Sequence, residues 1–322
     1  MPAVAPAASI ENLKSEIENP RAVLTLADLE GWAFPGTALA VLGHPIKHSI
    51  SPAMHNAALA ALVTAEPRFA DWRYFRFEVH PDDLPRALGL FHTKNFHGLN
   101  LTVPHKVLAF DRVAALDAAA RPIGAVNTLL ATPDGWRGHN TDGYGLAAAI
   151  RETLGLDLAG AHVVLLGAGG AARGAAVECL QRGCASLLIA NRTRANLDTL
   201  LATVAPLAVG IPFHGFDPAN PPADLPAGAL VINATSAGLH FDDPAPVDLA
   251  ALPRPAAVFD MIYNPPVTPL LRAAAALGLP HAHGLAMLVH QGAKALEIWT
   301  GVPADTTAPT MAAAARAALG VT

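Results

Sequence analysis

The amino-acid sequence predicts an α/β fold in two domains, each built on a mainly parallel sheet. Three observations carry this. A chain of 322 residues, 52% of them hydrophobic, has length and apolar content for two cores. Apolar runs of strand length alternate with helix-forming segments along most of the chain, the pattern of parallel sheets covered by helices. Most telling is Val163-Val164-Leu165-Leu166, which stops at Gly167 and passes at once into helical sequence. That reads as strand, tight turn and helix N-terminus.

Residues 1–36 begin Pro- and Ala-rich, are weakly helical over 11–18, and are broken by Pro20, Pro35 and Gly36, so they read as an extension. An apolar strand over 38–42 then runs into Gly43-His44-Pro45. In Ser49-Ile50-Ser51-Pro52, Ser51 is the expected N-cap and Pro52 the first residue of a helix through 62. A cap needs one hydroxyl. The second, at Ser49, makes a neutral nest suited to a carboxylate. A strand over 73–79 and a helix over 82–90 lead to a further strand, at whose C-terminal end Asn100, Thr102 and Lys106 cluster.

A helical stretch is expected over 113–120 and a strand over 124–130, which Pro133-Asp134-Gly135 turns back toward the polar run ending Asn140-Thr141-Asp142-Gly143. A helix over 144–154 enters the second domain. There 163–166, 186–190, 229–233 and 256–261 read as buried strands, 269–277 as a helix, 284–299 as a long amphipathic helix and 311–319 as a short last one. His281 and His283 fall in an expected loop, and no segment repeats.

A net charge of −5 and a pI near 6.2 give no field for nucleic acid or an anionic membrane, so the expected partner is a small molecule. A mean hydropathy of +0.35 reflects alanine. No run approaches the ~18 apolar residues of a membrane span. The first ten residues lack a basic start and an apolar centre, so no signal peptide is read and the protein is expected in the cytoplasm. Cys179 and Cys184 are expected to pack as thiols, and no His/Cys spacing suggests a metal.

Gly167, Gly169 and Ala172 fit G-x-G-x-x-G/A, the turn that brings backbone against a dinucleotide pyrophosphate at a helix N-terminus. Gly167, Ala168, Gly169, Gly170 and Ala171 are therefore the expected phosphate cradle, and the second domain reads as Rossmann-type. About 20 residues on, an NAD site places an acid for the ribose 2′-hydroxyl. This chain has Asn191-Arg192-Thr193-Arg194, which suits a 2′-phosphate, so the cofactor reads as NADP. Thr235 in Asn233-Ala234-Thr235-Ser236, and Tyr263 beyond Met261, lie at later strand ends, where the nicotinamide half belongs.

From 38 onward the chain resembles the shikimate dehydrogenase family. The resemblance rests on Ser49-x-Ser51-Pro52, Asn100-x-Thr102-x-Pro104-x-Lys106, Gly124-Ala125-Val126-Asn127-Thr128, Asn140-Thr141-Asp142-Gly143, the 167–173 turn, Asn191-Arg192-Thr193, Asn233-Ala234-Thr235-Ser236 and Gly284-Leu285-x-Met287-Leu288-x-x-Gln291. It implies reversible hydride transfer between NADPH and the C3 carbonyl of 3-dehydroshikimate. By the same resemblance Lys106 and Asp142 are the catalytic pair, Ser49 and Ser51 bind the substrate carboxylate, and Asn100, Thr102, Asn127 and Gln291 serve the ring hydroxyls. Tyr263 lies near the carboxylate. Met261, Gly284 and Met287 join the cofactor site. The residue types suit the chemistry: a cationic acid stabilises and protonates the oxygen on which charge develops, and a carboxylate holds the ammonium.

The implied domains are 1–36 as extension, 37–143 with 284–322 as substrate-binding domain, and 144–283 as NADP domain, the C-terminal helices returning to the first. A homodimer is left open. Two departures stand out: the family usually begins at the first strand, and Asn196 occupies the place of a second clamp arginine, leaving Arg194 as the substitute. A quinate or dual-specificity quinate/shikimate dehydrogenase is the nearest alternative, against which Ser49, Ser51 and Arg192 argue. A silent NADP-binding sensor is the other, against which Lys106 and Asp142 argue.

Overall fold

The computed structural model describes residues 22–240 and 242–321. The chain folds as two units: one runs to Thr141 and resumes at Gly292, the other is Asp142–Gln291. The expected helical turn over 11–18 lies outside the described residues.

The first unit has six strands: β1 (Ala38–Gly43), β2 (Arg73–Glu78), β3 (Phe96–Leu101), β4 (Ala115–Leu116), β5 (Thr128–Thr132) and β6 (Gly135–His139), in the order β2-β1-β3-β5-β6-β4. β1 pairs in parallel with β2 and β3, β4 with β6, and β5 alone runs against its two neighbours. Every residue of β1 is buried, the sign of a central strand covered on both faces. Helices α1 (Leu26–Glu30), α2 (Ser51–Leu62), α3 (Leu84–Thr93), α4 (His105–Leu108) and α5 (Ala120–Ile123) complete its N-terminal part. Phe77, Phe91 and Phe96 pack edge to face in its core, with centroids 4.6–5.8 Å apart. Leu24, Leu29 and Trp32 join that core, so the described end of the expected extension is part of this unit.

The second unit is doubly wound. β7 (His162–Leu166), β8 (Ser186–Ala190), β9 (Phe213–Phe216), β10 (Leu230–Asn233), β11 (Ala257–Asp260) and β12 (His281–His283) are all parallel, in the order β12-β11-β10-β7-β8-β9. Counted from β7 this is 3-2-1-4-5-6, the Rossmann order, and the direction of winding reverses between β7 and β10. Helices α6 (Asp142–Leu154), α7 (Gly170–Gln181), α8 (Arg194–Val204) and α9 (Pro269–Ala276) belong to it. α10 (Leu285–Thr300) carries the chain back into the first unit, where α11 (Ala304–Leu319) lies against α2.

Four local expectations are corrected. The helix expected over 113–120 is instead β4 and α5, because the N–H groups of Ala114 and Asp117 donate to Trp136 and Gly138 of β6. Ser51 is not the N-cap of α2; Ile50 is, and Ser51 is the first helical residue. His281 and His283 form edge strand β12, paired with Val258 and Asp260, where a loop was expected. The last helix starts at Ala304, not 311, taking Pro309 within it.

Candidate active site

In the first unit, the expected substrate residues sit where β1, β3 and β5 meet their connecting loops. The turn after β1 is held in place: Ser49 N–H donates to Ile46 O at 2.9 Å, and the buried Arg76 guanidinium donates to Lys47 O at 2.7 Å and Ser49 O at 3.0 Å. Burial pushes the Arg76 pKa down from its ordinary value. Ser49 Oγ accepts the Ser51 N–H at 3.3 Å.

The Tyr74 hydroxyl of β2 donates to Asn100 Oδ1 at 2.7 Å. Asn100 Nδ2 donates to Asn127 O at 3.1 Å and Thr128 Oγ1 at 3.0 Å. Asn127 Oδ1 accepts from Thr128 Oγ1 at 3.0 Å and from Thr141 N at 2.9 Å. A continuous polar run, Tyr74–Asn100–Thr128–Asn127–Thr141, thus lies buried in this unit. Tyr74, Thr128 and Thr141 were missed in the sequence. Tyr74 reads there as one more apolar residue of a strand, and only the neighbouring Asn-Thr pairs hint at the threonines.

Thr102 follows β3 half-buried, its N–H donating to Leu42 O at 2.9 Å and its carbonyl accepting from His105 N at 2.8 Å. Lys106 is half-buried in the single-turn helix α4, and its carbonyl accepts the Val126 N–H at 2.9 Å, tying the lysine's backbone to the residue before Asn127.

In the second unit the winding reversal opens a cleft of about 390 Å³. Gly167, Ala168 and Gly169 line it from β7, Asn191 and Arg192 from β8, and Ala234, Thr235 and Ser236 from β10. Gly167 has φ +112°, and a Cβ there would lie 3.0–3.1 Å from Thr235 and Ala234, so the turn demands glycine. At Gly169 and Gly170 a Cβ would meet nothing within 4 Å. That leaves open space at the N-terminus of α7, where no side chain caps the first N–H groups. Uncapped donors, the helix dipole and room beside them fit a dinucleotide pyrophosphate.

Thr235 is placed by a buried network: its N–H and hydroxyl donate to Asn233 Oδ1 at 3.0 and 2.7 Å, and Asn233 Nδ2 donates to Asp260 Oδ1 at 3.0 Å. Thr268 donates to the other Asp260 oxygen at 2.7 Å. Burial raises the Asp260 pKa, against the pull of these donors. Ser236 and the wall formed by Pro218 and residues 244–246 were not expected among the lining.

The remaining expected residues stand outside this lining. Gly170 and Ala171 are the exposed first turn of α7. Thr193 is exposed at the N-cap of α8, and Arg194 pairs with Asp198 one turn on, at 2.9–3.0 Å, rather than pointing a second guanidinium at the cleft. Met261 follows β11 half-buried, and Gly284 packs so tightly that a Cβ would lie 2.1 Å from the Met261 carbonyl. Tyr263 is half-buried, and burial pushes its phenol pKa up. Asp142 is the first residue of α6, in the acidic-favouring N-terminal turn. Gly145 of α6 lets α10 press close: a Cβ would lie 2.8 Å from Met287 O and from the Gln291 Cβ. Gln291 Nε2 donates to Leu288 O at 2.9 Å.

A doubly wound unit with a glycine cradle and an arginine at its second strand, together with an α/β unit carrying amides, hydroxyls and a lysine at its strand ends, defines an NADP-dependent oxidoreductase of a small polar molecule. The shikimate dehydrogenase substrate-binding domain model matches residues 41–129, and the shikimate 5′-dehydrogenase C-terminal domain model matches 284–316. The chain is 40% identical to the shikimate dehydrogenase (NADP(+)) of Citrifermentans bemidjiense over 264 residues, 81% of this chain and 89% of that one. It belongs to the shikimate dehydrogenase family. Among solved structures, the Thermus thermophilus shikimate 5-dehydrogenase in complex with NADP(H) and shikimate is similar with a TM-score of 0.73 and 35% identity, covering 88% of this chain and 99% of that one. The ligand-free 5-ketofructose reductase of a Gluconobacter strain is similar with a TM-score of 0.74 and 33% identity, over 87% and 99%. Among the described residues no helix is long and apolar enough to cross a membrane, and no cluster of ligating side chains could hold a metal ion.

Proposed function

We propose that this chain catalyses the reversible NADP-dependent reduction of 3-dehydroshikimate to shikimate, a step of aromatic amino-acid biosynthesis, in the cytoplasm. The observation that carries the reading is the buried polar run from Tyr74 to Thr141: alternating hydroxyls and amides both donate and accept, as the hydroxyls of a polyol ring require. The first unit serves as the substrate domain and the second as the NADP domain.

When bound, NADPH supplies the hydride. The amides of residues 167–170 would hold the pyrophosphate, Asn191 and Arg192 would hold the ribose 2′-phosphate, and Thr235 would contribute to the nicotinamide side. Ser49 and Ser51 take the substrate carboxylate, while Asn100, Thr102, Asn127 and Gln291 engage the ring. Lys106 Nζ gives a proton to the C3 oxygen during reduction and, as the neutral amine, takes it back from the C3 hydroxyl during oxidation. Asp142 accepts from the reacting hydroxyl and steadies the ammonium. The similarity to a 5-ketofructose reductase raises a second substrate, a neutral ketose. The paired serines favour shikimate over it, because only an acid substrate uses an anion nest.

The test is NADP⁺ reduction by the purified protein with shikimate and, separately, quinate and fructose, repeated with NAD⁺. Activity confined to shikimate and NADP⁺, and lowered by orders of magnitude in Lys106→Ala with NADP affinity kept, supports the reading. Near-normal turnover by Lys106→Ala removes the lysine from the mechanism, and comparable quinate turnover moves the chain to the dual-specificity branch. Light scattering of the same preparation reads out a homodimer as a doubled mass.

A further inference from the structure

A carboxylate lies fully buried at the C-terminal end of β11. Asp260 does not line the cofactor cleft, yet it accepts three hydrogen bonds: from Asn233 Nδ2 and the Ile262 N–H on one oxygen, each at 3.0 Å, and from the Thr268 hydroxyl on the other at 2.7 Å. Three donors offset the cost of burying its charge.

Asn233 Nδ2 has two N–H bonds, spent on Asp260 Oδ1 at 3.0 Å and on Ala237 O at 3.4 Å. Its carbonyl oxygen therefore faces Thr235. The carboxylate forbids the flipped amide, in which two acceptor oxygens would meet. Asn233 Oδ1 accepts the Thr235 N–H at 3.0 Å and the Thr235 hydroxyl at 2.7 Å. An amide oxygen cannot donate, so the single hydroxyl proton of Thr235 lies on that bond. Thr235 Oγ1 also accepts the Ala237 N–H at 3.1 Å, and one lone pair remains. Thr235 lines the cleft half-buried, so what its hydroxyl offers a ligand there is an acceptor. The same pair of residues fixes the next loop: Ile262 N–H is held by Asp260, and Met261 N–H donates to Asn233 O at 3.0 Å.

We propose that Asp260 is a positioning residue which, by fixing the Asn233 amide, makes the Thr235 hydroxyl an acceptor for an N–H or O–H group of NADP. This rests on the reading of the cleft as the cofactor site. The nicotinamide half of NADP carries both kinds of donor, the carboxamide N–H and the ribose O–H.

The test is titration calorimetry of the full-length protein with NADP⁺, using Thr235→Val, Thr235→Ser, Asp260→Asn, Asp260→Ala and the double variant Asp260→Ala/Thr235→Val. Thr235→Val is expected to weaken NADP⁺ about three- to tenfold, the equivalent of one hydrogen bond, and Thr235→Ser, which keeps the hydroxyl, less than about twofold. Asp260→Asn keeps an oxygen toward Asn233 with its N–H groups turned to Thr268, and is expected to retain affinity within about twofold. Asp260→Ala releases the Asn233 amide and is expected to lose as much as Thr235→Val, with the double variant no worse than Asp260→Ala alone. The shikimate KM at saturating NADP⁺ is expected to stay unchanged throughout. The acetylpyridine analogue of NADP⁺, which lacks the carboxamide N–H, locates the donor: a Thr235→Val loss that persists with it assigns the ribose, and one that vanishes assigns the carboxamide, either result supporting the acceptor. Unchanged NADP⁺ affinity in Thr235→Val, or losses that multiply in the double variant, overturns the proposal while wild-type NADP⁺ binding leaves the reading of the cleft standing. Absence of wild-type binding overturns both. Where thermal melting shows that Asp260→Ala does not fold, Asn233→Ala replaces it in the cycle: a combined loss well below the product supports the assignment, and the full product overturns it.

Discussion

His55 makes the first unit sensitive to acid. Its ring is fully buried between Tyr74 and Trp299, with centroids at 4.1 and 5.7 Å, and neither nitrogen has a hydrogen-bond partner. Burial disfavours the imidazolium and pushes the pKa down from 6.5 to about 3. Above pH 6.5 neither the folded nor the unfolded chain protonates this side chain, so it contributes nothing to the pH dependence. Below it the unfolded chain binds a proton that the folded one refuses, and stability falls as pH falls, until the folded imidazole titrates near 3. At pH 4.5 the loss from this one group is about 3 kcal/mol, a large share of the ~5–15 kcal/mol of a typical domain.

The perturbation is His55→Phe, which keeps a flat ring on Tyr74 and removes the titration. All four tryptophans, Trp32, Trp72, Trp136 and Trp299, belong to the first unit, so fluorescence-detected urea unfolding reads that unit. At pH 7.5 the variant is expected within about 1–2 kcal/mol of wild type, the cost of a slightly larger ring. Between pH 7.5 and 4.5 it is expected to gain about 3 kcal/mol relative to wild type. His105 and His139, also depressed by burial, titrate alike in both proteins and cancel. Equal losses in the two proteins would refute the neutral, unpartnered imidazole.

Arg192→Ala is expected to weaken NADP about ten- to a hundredfold, one charged hydrogen-bonding group, and to leave NAD nearly unchanged; titration calorimetry with both cofactors reads this. Gly167→Ala forces a side chain into φ +112° and against Thr235 at 3.0 Å, so NADP affinity should drop more than about tenfold while tryptophan-detected unfolding of the first unit stays as in wild type. Gly98→Ala would place a Cβ 2.1 Å from Trp299 Nε1, displacing the indole that donates to Leu129 O at 2.9 Å. A loss of about 2–4 kcal/mol in urea unfolding, with a shifted emission maximum, is expected.

The second unit's cleft was legible because a glycine turn is written locally: Gly167, Ala168, Gly169, Asn191, Arg192 and Thr235 all line it. Arg194 shows the limit. Its position suggests a clamp, but Asp198, one helical turn away, takes its guanidinium. In the first unit the polar residues at strand ends could be seen, whereas Tyr74 could not, since it acquires its role from Asn100, 26 positions on. Elements of two to four residues were equally hidden. Residues 113–120 carry helical propensity, yet two backbone bonds to β6, from Ala114 and Asp117, decide otherwise.

The two units build their sites from different materials, and on the proposed reading that governs how each can change. The cofactor cleft is lined largely by backbone and small residues, and the specificity for the 2′-phosphate falls to Arg192, which is exposed. One surface substitution there alters cofactor choice without disturbing a core. The substrate side is made of buried side chains whose donors and acceptors are already matched. Asn100 spends both N–H bonds on Asn127 O and Thr128 Oγ1, and its Oδ1 accepts the Tyr74 hydroxyl, so a change at Tyr74 takes the donor from that oxygen. A new substrate therefore requires several concerted changes in the run, whereas a new cofactor preference requires one. The shared fold with a ketose reductase is consistent with this, since a scaffold constrains the placing of strand ends and leaves the chemistry to the side chains on them.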